Sequence, residues 1–536
     1  MPTECIPYRE TNYFTTLILD YLSGKEELKE FYNRFPKLEN FEEQIKEKSS
    51  FPAENRKILA EVLENQYAEV NTSEKTRQHI EALKSENSFT VVTGHQLNLF
   101  TGPLYFLYKI ISTINLTKEL KEKYPDFHFV PVYWMATEDH DFEEISFFNL
   151  NGKKFQWAKT PKNAGLDAVG QLSTEGLEDV FKLFSAEIGG GKNAETLKNL
   201  FEKAYLEHEN LTDATRYLAN ELFKEQGLVI LDGQDKDLKK LFIPFAKNEL
   251  LEQKSHQATS PTAEKLNKLG YKVQVNPREI NLFYLHNGLR ERIIEREGEY
   301  FVHETEIKWS KDEILKELNN YPERFSPNVM LRPLYQEVVL PNLCYIGGGG
   351  EIAYWLELKA YFEAENITFP ILLLRNSVLL QSEKLDKKRQ KLNISNKELF
   401  LKQHELINRK VRQISNIDID FSEQKEHLVN QFQEMYSLAK KTDKSFLGAI
   451  KAQEVKQLKG LDNLEKRLLK AQKRKLEDEV NRITILQNKL FPNKSLQERQ
   501  TNFSEVYAEM GPKLISELLK KLDPLDQEFK ILTFEE

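Results

Sequence analysis

Cysteine is almost absent: the 536-residue chain holds only Cys5 and Cys344, far apart in sequence. That excludes a disulfide framework and argues against a cysteine-based zinc site. Both residues read as free thiols in a reducing cytosol. No stretch approaches the roughly 18 apolar residues that a membrane-spanning helix needs. The opening MPTECIPYRETNYF lacks the basic-then-apolar order of a signal peptide. A cytoplasmic location with no membrane partner is therefore expected. Positive charge is not in excess either. The formal net charge is −8, so broad attraction to nucleic acid is not expected. The chain has no G-x-x-x-x-G-K-[ST] loop and no G-x-S-x-G elbow, which removes a P-loop ATPase and the α/β-hydrolase nucleophile. The two-histidine zinc helix is missing too, so a metal is the lesser reading and no metal ligand is assigned.

What is present is material for a core. Apolar residues make up 40% and aromatics 11%, too much for a disordered chain. The length suits about three domain-sized units. Charged residues reach 30%, above the usual share of about a quarter, as long solvated helices would require. The first 85 residues are helical in pattern; over 57–80, Ile58, Leu59, Val62, Leu63, Tyr67 and Val70 fall at helical spacing. Short apolar, β-branched runs then occur at 89–92, 128–136, 227–231, 344–346 and 370–374, with a helix at 105–120 after the first. Strands alternating with helices predict an α/β fold with a parallel sheet and right-handed crossovers. Ligands in such sheets bind beyond the carboxyl ends of the strands. Three polar motifs fall at those ends: 93–98, 137–144 and 347–351.

Two stretches interrupt the alternation. Residues 146–205 contain a hairpin-like FFNLNGKKFQW and a glycine loop at 189–191. Residues 234–325 contain the alternating runs YKVQVN, NLFYLHNG and EYFVHE. These read as insertions, the second β-rich, dividing a core made of 1–145, 206–233 and 326–380. From 381 to 494 the chain is rich in Lys, Glu, Gln and Leu, with Leu469, Leu476, Ile483 and Leu490 recurring every heptad. Leu428, Phe432 and Met435, and Leu461, Leu464 and Leu468, add helical stripes. This predicts an antiparallel helical hairpin or coiled-coil arm, imperfect because Lys473 and Gln487 are polar, and ended by Pro492. Residues 495–536 read as a last helix and a short strand packing on the core.

Each motif carries a functional and a bland reading. Thr93-Gly94-His95-Gln96, with Asn98 and Gly102 beyond, sits where a strand turns into a helix. Its glycines allow close backbone approach, and His95 could bond a phosphate or stabilise developing negative charge; the bland reading is a tight turn with a core histidine. Glu138, Asp139, His140 and Asp141, with Glu143 and Glu144 after them, could deprotonate an amine, hold an ammonium group or bind a metal. Otherwise they form a solvated loop that caps the next helix. After Gly347, the run Gly348-Gly349-Gly350-Glu351-Ile352-Ala353, followed by Tyr354, formally fits a G-x-G-x-x-A dinucleotide loop, but the next strand ends in Arg375 and not in an acid. A basic residue there suits phosphate or carboxylate. Arg332, near Gln336, could clamp a carboxylate or form an internal salt bridge to Glu337 or Glu351. The 287–292 segment (NGLRER) reads as a structural hairpin turn.

Taken together, TGHQLNLFTGPLYFLYK (93–109), PVYWMATEDHDFEEI (131–145), SPNVMLRPLYQEVVLPNLCYIGGGGEIAYWLELK (326–359) and PILLLRNS (370–377) resemble the cysteine ligases of bacillithiol biosynthesis, the BshC family. The order and spacing of the blocks, the opening YLSGKEELKEFYNRFP and the helical arm resemble that family as well; the two insertions do so least. The resemblance implies a Rossmann-like core related to nucleotidyltransferases and class I aminoacyl-tRNA synthetases, two connective insertions, and a coiled-coil domain forming a homodimer. It implies addition of L-cysteine to glucosaminyl-malate. Carried over by motif, Gly94, His95 and Gln96 would contact substrate, and Glu138, Asp139, His140 and Asp141 would lie at the second strand end. Arg332, Gln336, Gly347, Gly348 and Glu351 would close the pocket. The paired H-x-G-H and K-M-S-K-S signatures of the synthetases are not present as such.

A carboxylate is a poor electrophile, so the implied amide synthesis needs an activated cysteine carboxyl, most simply through ATP or another nucleotide. The glycine loops and His95 would then stabilise phosphate charge, an acid of 138–141 would deprotonate the attacking ammonium, and Arg332 or Arg375 would hold malate carboxylates or phosphate. Two other classes stay open: a nucleotide-dependent adenylyltransferase or ligase acting on another small acid, and a non-enzymatic coiled-coil scaffold.

Overall fold

The structure, a computed structural model, describes residues 1–158, 168–286, 288–442 and 444–535. Residues 159–167 of the first insertion and Asn287 of the 287–292 turn lie outside the described residues. The chain divides into two compact units: residues 1–381 with 496–536, and residues 382–495.

The first unit is built on a five-stranded parallel sheet of β1 (Ser88–His95), β2 (His128–Met135), β3 (Val229–Asp232), β4 (Asn342–Gly347) and β5 (Ile371–Leu374), in the order 3-2-1-4-5. Every residue of β1, β4 and β5 is buried, as is all of β2 except His128. Burial on both faces explains why these strands read as continuous apolar runs without alternation. Helix α1 (Tyr105–Lys123) crosses from β1 to β2. Its Leu116 and Leu120 pack with Phe89, Val91, Phe129, Cys344, Ile346 and Ile371 in the core. The chain runs to one side through β1, β2 and β3 and to the other through β4 and β5. That order is Rossmann-like, and it opens a crevice where the direction reverses, beyond the carboxyl ends of β1 and β4.

Register brings those ends level. Gly94 pairs with Trp134 and His95 with Met135, while Tyr345 pairs with Val92. Two helices close the crevice on the far side: α2 (Arg332–Val339) before β4, and α3 (Gly349–Trp355) after it.

Several elements differ from the sequence expectation. The helical pattern over 57–80 is two helices, Ala53–Gln66 and Glu74–Ala82, because Ser73 accepts the Thr76 N–H and starts a new helix. The stretch 234–325 opens with helices Lys236–Glu252 and Lys254–Lys268 before its antiparallel sheet of Leu282–Leu285, Arg290–Arg296, Glu299–Val302, Lys308–Ser310 and Phe325–Pro327. YKVQVN is not a strand. The Glu357 carboxylate accepts the backbone N–H groups of Gln274 and Val275 in place of a strand partner. FFNLNGKKFQW does form a hairpin, Phe147–Leu150 with Lys153–Gln156. The C-terminal segment carries two helices, Phe503–Met510 and Lys513–Lys521, and then strand Glu528–Phe534, which pairs with the N-terminal Thr3–Pro7.

In the second unit, helices Ser422–Ala439 and Lys444–Lys475 run antiparallel, since Lys425 pairs with Asp462 and Glu465 while Tyr436 bonds Glu454. Phe432, Ala439 and Ile450 form their seam. The heptad run is interrupted: Leu476, at φ −106° and ψ 30°, separates Lys444–Lys475 from Glu477–Leu490, so Leu469 and Leu490 do not share one regular helix. Among the described residues no helix is long and apolar enough to cross a membrane.

One buried asparagine ties the C-terminal segment to the loop after β1. Asn502 donates Nδ2 to the carbonyls of Phe100 and Gly102, at 2.7 and 2.6 Å, and its Oδ1 accepts from Ser504. Asn502→Ala strands two buried carbonyls and should lower the unfolding free energy by about 2–4 kcal/mol in urea titration. A loss below about 0.5 kcal/mol would show that the loop holds without this tie.

Candidate active site

A cavity of about 540 Å³ lies over the carboxyl ends of β1, β2 and β4. Segments 94–96 and 134–139 line it with Tyr345, Gly348, Gly350 and Glu351, joined by Gln274, Val275 and Arg290 from the second insertion and Pro327, Asn328, Val329 and Arg332 on the approach to α2. Of the residues singled out in the sequence, Gly94, His95, Gln96, Glu138, Asp139, Arg332, Gly348, Glu351, Tyr354 and Arg375 meet here.

His95 is buried, with its ring edge-on to Tyr105 and tilted against Phe106, and its Nε2 has no hydrogen-bond partner among the described residues. Burial, helped by the Lys109 charge, pushes its pKa down to about 3. His95 is therefore a neutral hydrogen-bonding group at ordinary pH and not a proton shuttle. Lys109, one turn into α1, is buried; its Nζ donates to the Gly94 carbonyl at 2.6 Å and pairs with Glu351 at 2.6 Å. Glu351 also accepts from the Tyr345 hydroxyl and the Gly348 N–H. The N–H that a dinucleotide phosphate would use is thus already taken by a carboxylate. Burial pushes the Glu351 pKa up, but Lys109, Tyr345 and Gly348 outweigh it and leave it lowered.

The arginines divide by partner. Arg375 is buried and bound to Glu498 at 2.7 Å and to the Asn376 carbonyl, leaving only its Nε without a partner. Its expected role as a malate or phosphate clamp therefore gives way to an internal ion pair. Arg332 makes no ion pair among the described residues. It donates to Gln336 Oε1 at 3.1 Å and to the Tyr354 hydroxyl at 3.4 Å. Arg499, exposed at the rim, has neither a side-chain hydrogen bond nor an ion pair among the described residues.

The acids divide likewise. Glu138 pairs with buried Lys239 and accepts from Ser326 Oγ. Burial opposes ionisation of Asp139. The His140 ring, the Gln96 amide, the His140 N–H and the Arg290 charge nonetheless hold its carboxyl well below the usual range. Gln96 Nε2 bridges Asp139 at 2.7 Å and Glu144 at 3.0 Å, so both acids stand on one edge of the cavity.

The other sequence candidates lie outside the cavity wall. Asp141 caps the short helix Phe142–Ile145 by accepting the Glu144 N–H, which is the bland reading of that cluster. His140 accepts from Arg290. Thr93 donates to the Ile346 carbonyl inside the sheet. Asn98 donates to the Glu144 carbonyl, and Gly102 turns at φ +63° directly against Asn98. Gln336 sits behind Arg332, and Gly347 ends β4 beneath Glu351. Sequence reasoning missed Lys109, Tyr105, Arg290 and Arg499. Lys109 was findable, since it is the one charge in the otherwise apolar opening turns of α1.

Known proteins resemble the chain along its length. Residues 1–376 match the N-terminal Rossmann-like domain of bacillithiol biosynthesis BshC, and residues 378–534 match its C-terminal coiled-coil domain. A Christiangramia forsetii protein named "Putative cysteine ligase BshC" is 71% identical over 535 residues, covering 100% of this chain and 99% of its own. Proteins of the same name from Flavobacterium johnsoniae and Flavobacterium psychrophilum are 61% and 58% identical, each covering 99% of this chain and 100% and 99% of their own. The chain belongs to the BshC family of bacillithiol biosynthesis.

The His95 environment has a measurable consequence. Its folded pKa, about 3, lies below the ordinary 6.5. The unfolded chain therefore takes up a proton that the native state refuses as pH falls through that window. Stability from this group is complete above 6.5 and is lost at up to about 1.4 kcal/mol per pH unit below it. His95→Gln should flatten the stability–pH slope between about pH 6 and pH 4.5 by close to one proton, read by urea titration. An unchanged slope would mean that His95 protonates freely in the native state.

Proposed function

We propose that this chain, as a member of the bacillithiol-biosynthesis family, is a cytoplasmic ligase that adds L-cysteine to glucosaminyl-malate, joining the cysteine carboxyl to the glucosamine amine as an amide. Family membership supports the pathway and the reaction class. The observation that carries the chemistry is a separation of charge within one cavity. Arg332 and Arg499 are cations without carboxylate partners among the described residues, while Asp139 and Glu144 are acids held together by Gln96. The first pair suits carboxylates of a malyl group, and the second suits an ammonium.

Amide formation needs a free amine, so a proton must leave the glucosamine ammonium. Asp139, held strongly ionised, is a weak base and a good ammonium anchor. Glu138 is occupied by Lys239 and Ser326. Among the described residues the Glu144 carboxylate keeps only the Gln96 amide, and we assign it as the proton acceptor. The cysteine carboxyl must also lose an oxygen, and a nucleoside triphosphate would supply the leaving group for it. His95 Nε2, without a hydrogen-bond partner among the described residues, and Arg499 nearby fit phosphate oxygens; the Gly348 N–H, taken by Glu351, does not. On the arm, Leu438, Val455 and Leu464 are exposed, which supports self-association into a homodimer.

The test is product formation from L-cysteine, glucosaminyl-malate and nucleotide by the purified chain, followed by mass spectrometry. His95→Ala and Asp139→Ala should abolish product while keeping cooperative melting. Glu144→Gln should cut turnover by about 10²–10⁴-fold. Full activity in these variants would sink the assignments. Pyrophosphate exchange that needs no cysteine would instead favour an adenylyltransferase acting on another small acid.

A further inference from the structure

Arg332 owes its free charge to residues behind it. Two nearby acids are committed elsewhere, Glu351 to Lys109 and Glu337 to Lys48. Its hydrogen-bond partners are an amide and a phenol, and its guanidinium lies over the Tyr345 ring at 5.7 Å. Gln336 is fully buried, so it accepts from Arg332 without solvent and without adding charge.

A primary amide can turn either way, and only one orientation offers Arg332 an acceptor. Glu337 selects it. Glu337 Oε1 accepts from Gln336 Nε2 at 3.0 Å and from Asn342 Nδ2 at 2.6 Å. Asn342 is itself oriented, because its Oδ1 accepts the Cys344 N–H in β4. Turned over, Gln336 would set its NH₂ against the guanidinium and its carbonyl against the Glu337 carboxylate. Lys48 completes the chain: its Nζ lies 3.1 Å from Glu337 Oε2 and also donates to the Glu337 carbonyl. Lys48, Glu337 and Asn342 are all buried, so an uncompensated charge anywhere in this set would be costly.

We propose that Gln336, Glu337 and Lys48 form a buried positioning relay. It holds Arg332 at the cavity wall as a cation with no ion-pair partner among the described residues, and so makes the site selective for a substrate bearing a carboxylate. The proposal rests on the reading of this cavity as the site of the malyl group. Glutamine at 336 is the essential choice. A glutamate there would pair with Arg332 and cancel the charge offered to the ligand. A methionine would leave the charge but release the side chain from its orientation.

The experiment is calorimetric titration of the purified full-length protein with L-malate, alongside thermal melting by circular dichroism. Wild type should bind saturably. Arg332→Ala and Gln336→Glu should bind at least about tenfold more weakly, and Gln336→Met about threefold more weakly, giving the order Gln, Met, Glu. A relay that merely supports the fold predicts equal losses for Met and Glu. Retention of wild-type affinity in folded Gln336→Glu, or no malate binding by wild type, overturns the proposal. If Gln336→Glu does not fold, Gln336→Met decides: unchanged affinity overturns it. In turnover assays Gln336→Met should raise KM for glucosaminyl-malate with kcat little changed, since the reacting carboxyl is untouched. Malate binding without turnover in wild type would count against the ligase reading alone.

Discussion

The site hangs on the contact between buried Lys109 and Glu351. Lys109 comes from the helix after β1 and also holds the Gly94 carbonyl; Glu351 comes from the helix after β4 and also holds the Gly348 N–H and the Tyr345 hydroxyl. One ion pair therefore joins the two strand ends where the sheet reverses direction. Removing either partner would leave a charge without its counter-ion in a largely dry place, at a cost of about 3–5 kcal/mol. Its electrostatic effects spread outward. Lys109 helps keep His95 neutral, and by pairing with Glu351 it leaves Arg332 without an ion pair among the described residues.

That arrangement sorts the charges of the cavity into two kinds. Glu138 with Lys239, Glu351 with Lys109, and Arg375 with Glu498 are matched within the protein. Arg332, Arg499, Asp139 and Glu144 are not matched by an ion pair in the same way, and they line the wall where a ligand would meet them. Matched pairs build the scaffold, and unmatched groups are what the scaffold presents. The second insertion contributes to both, since Arg290 lies beside Asp139 while Gln274 and Val275 are pinned over the cavity by Glu357.

Much of the core was legible in the sequence because its strands are buried on both faces. Runs such as FTVV, HFVPVYWMA and PILLL read as interior strands, and the polar motifs after them then fall together at one edge of a parallel sheet. The family resemblance, on long blocks, pointed to the same core. What could not be read was pairing. Arg332 and Arg375 look equivalent in sequence, yet Glu498, 123 residues further on, claims only Arg375. Asp139 and Asp141 are two residues apart, but one lines the cavity while the other caps a helix. The 57–80 pattern hid a break because Leu59, Val62, Leu63 and Ile80 are all buried, although Ser73 starts a second helix between them. Likewise YKVQVN has strand-like alternation but finds a carboxylate in place of a neighbouring strand.

The central claim is that this cavity adds cysteine to glucosaminyl-malate. It is tested most directly by the thiol content of host cells lacking the gene, through fluorescent thiol labelling and mass spectrometry, with glucosaminyl-malate followed in the same extracts. The account predicts that the cysteine-containing thiol disappears while glucosaminyl-malate accumulates, and that the gene restores both to normal. Unchanged levels of thiol and precursor, in cells with no second copy of the enzyme, would contradict it.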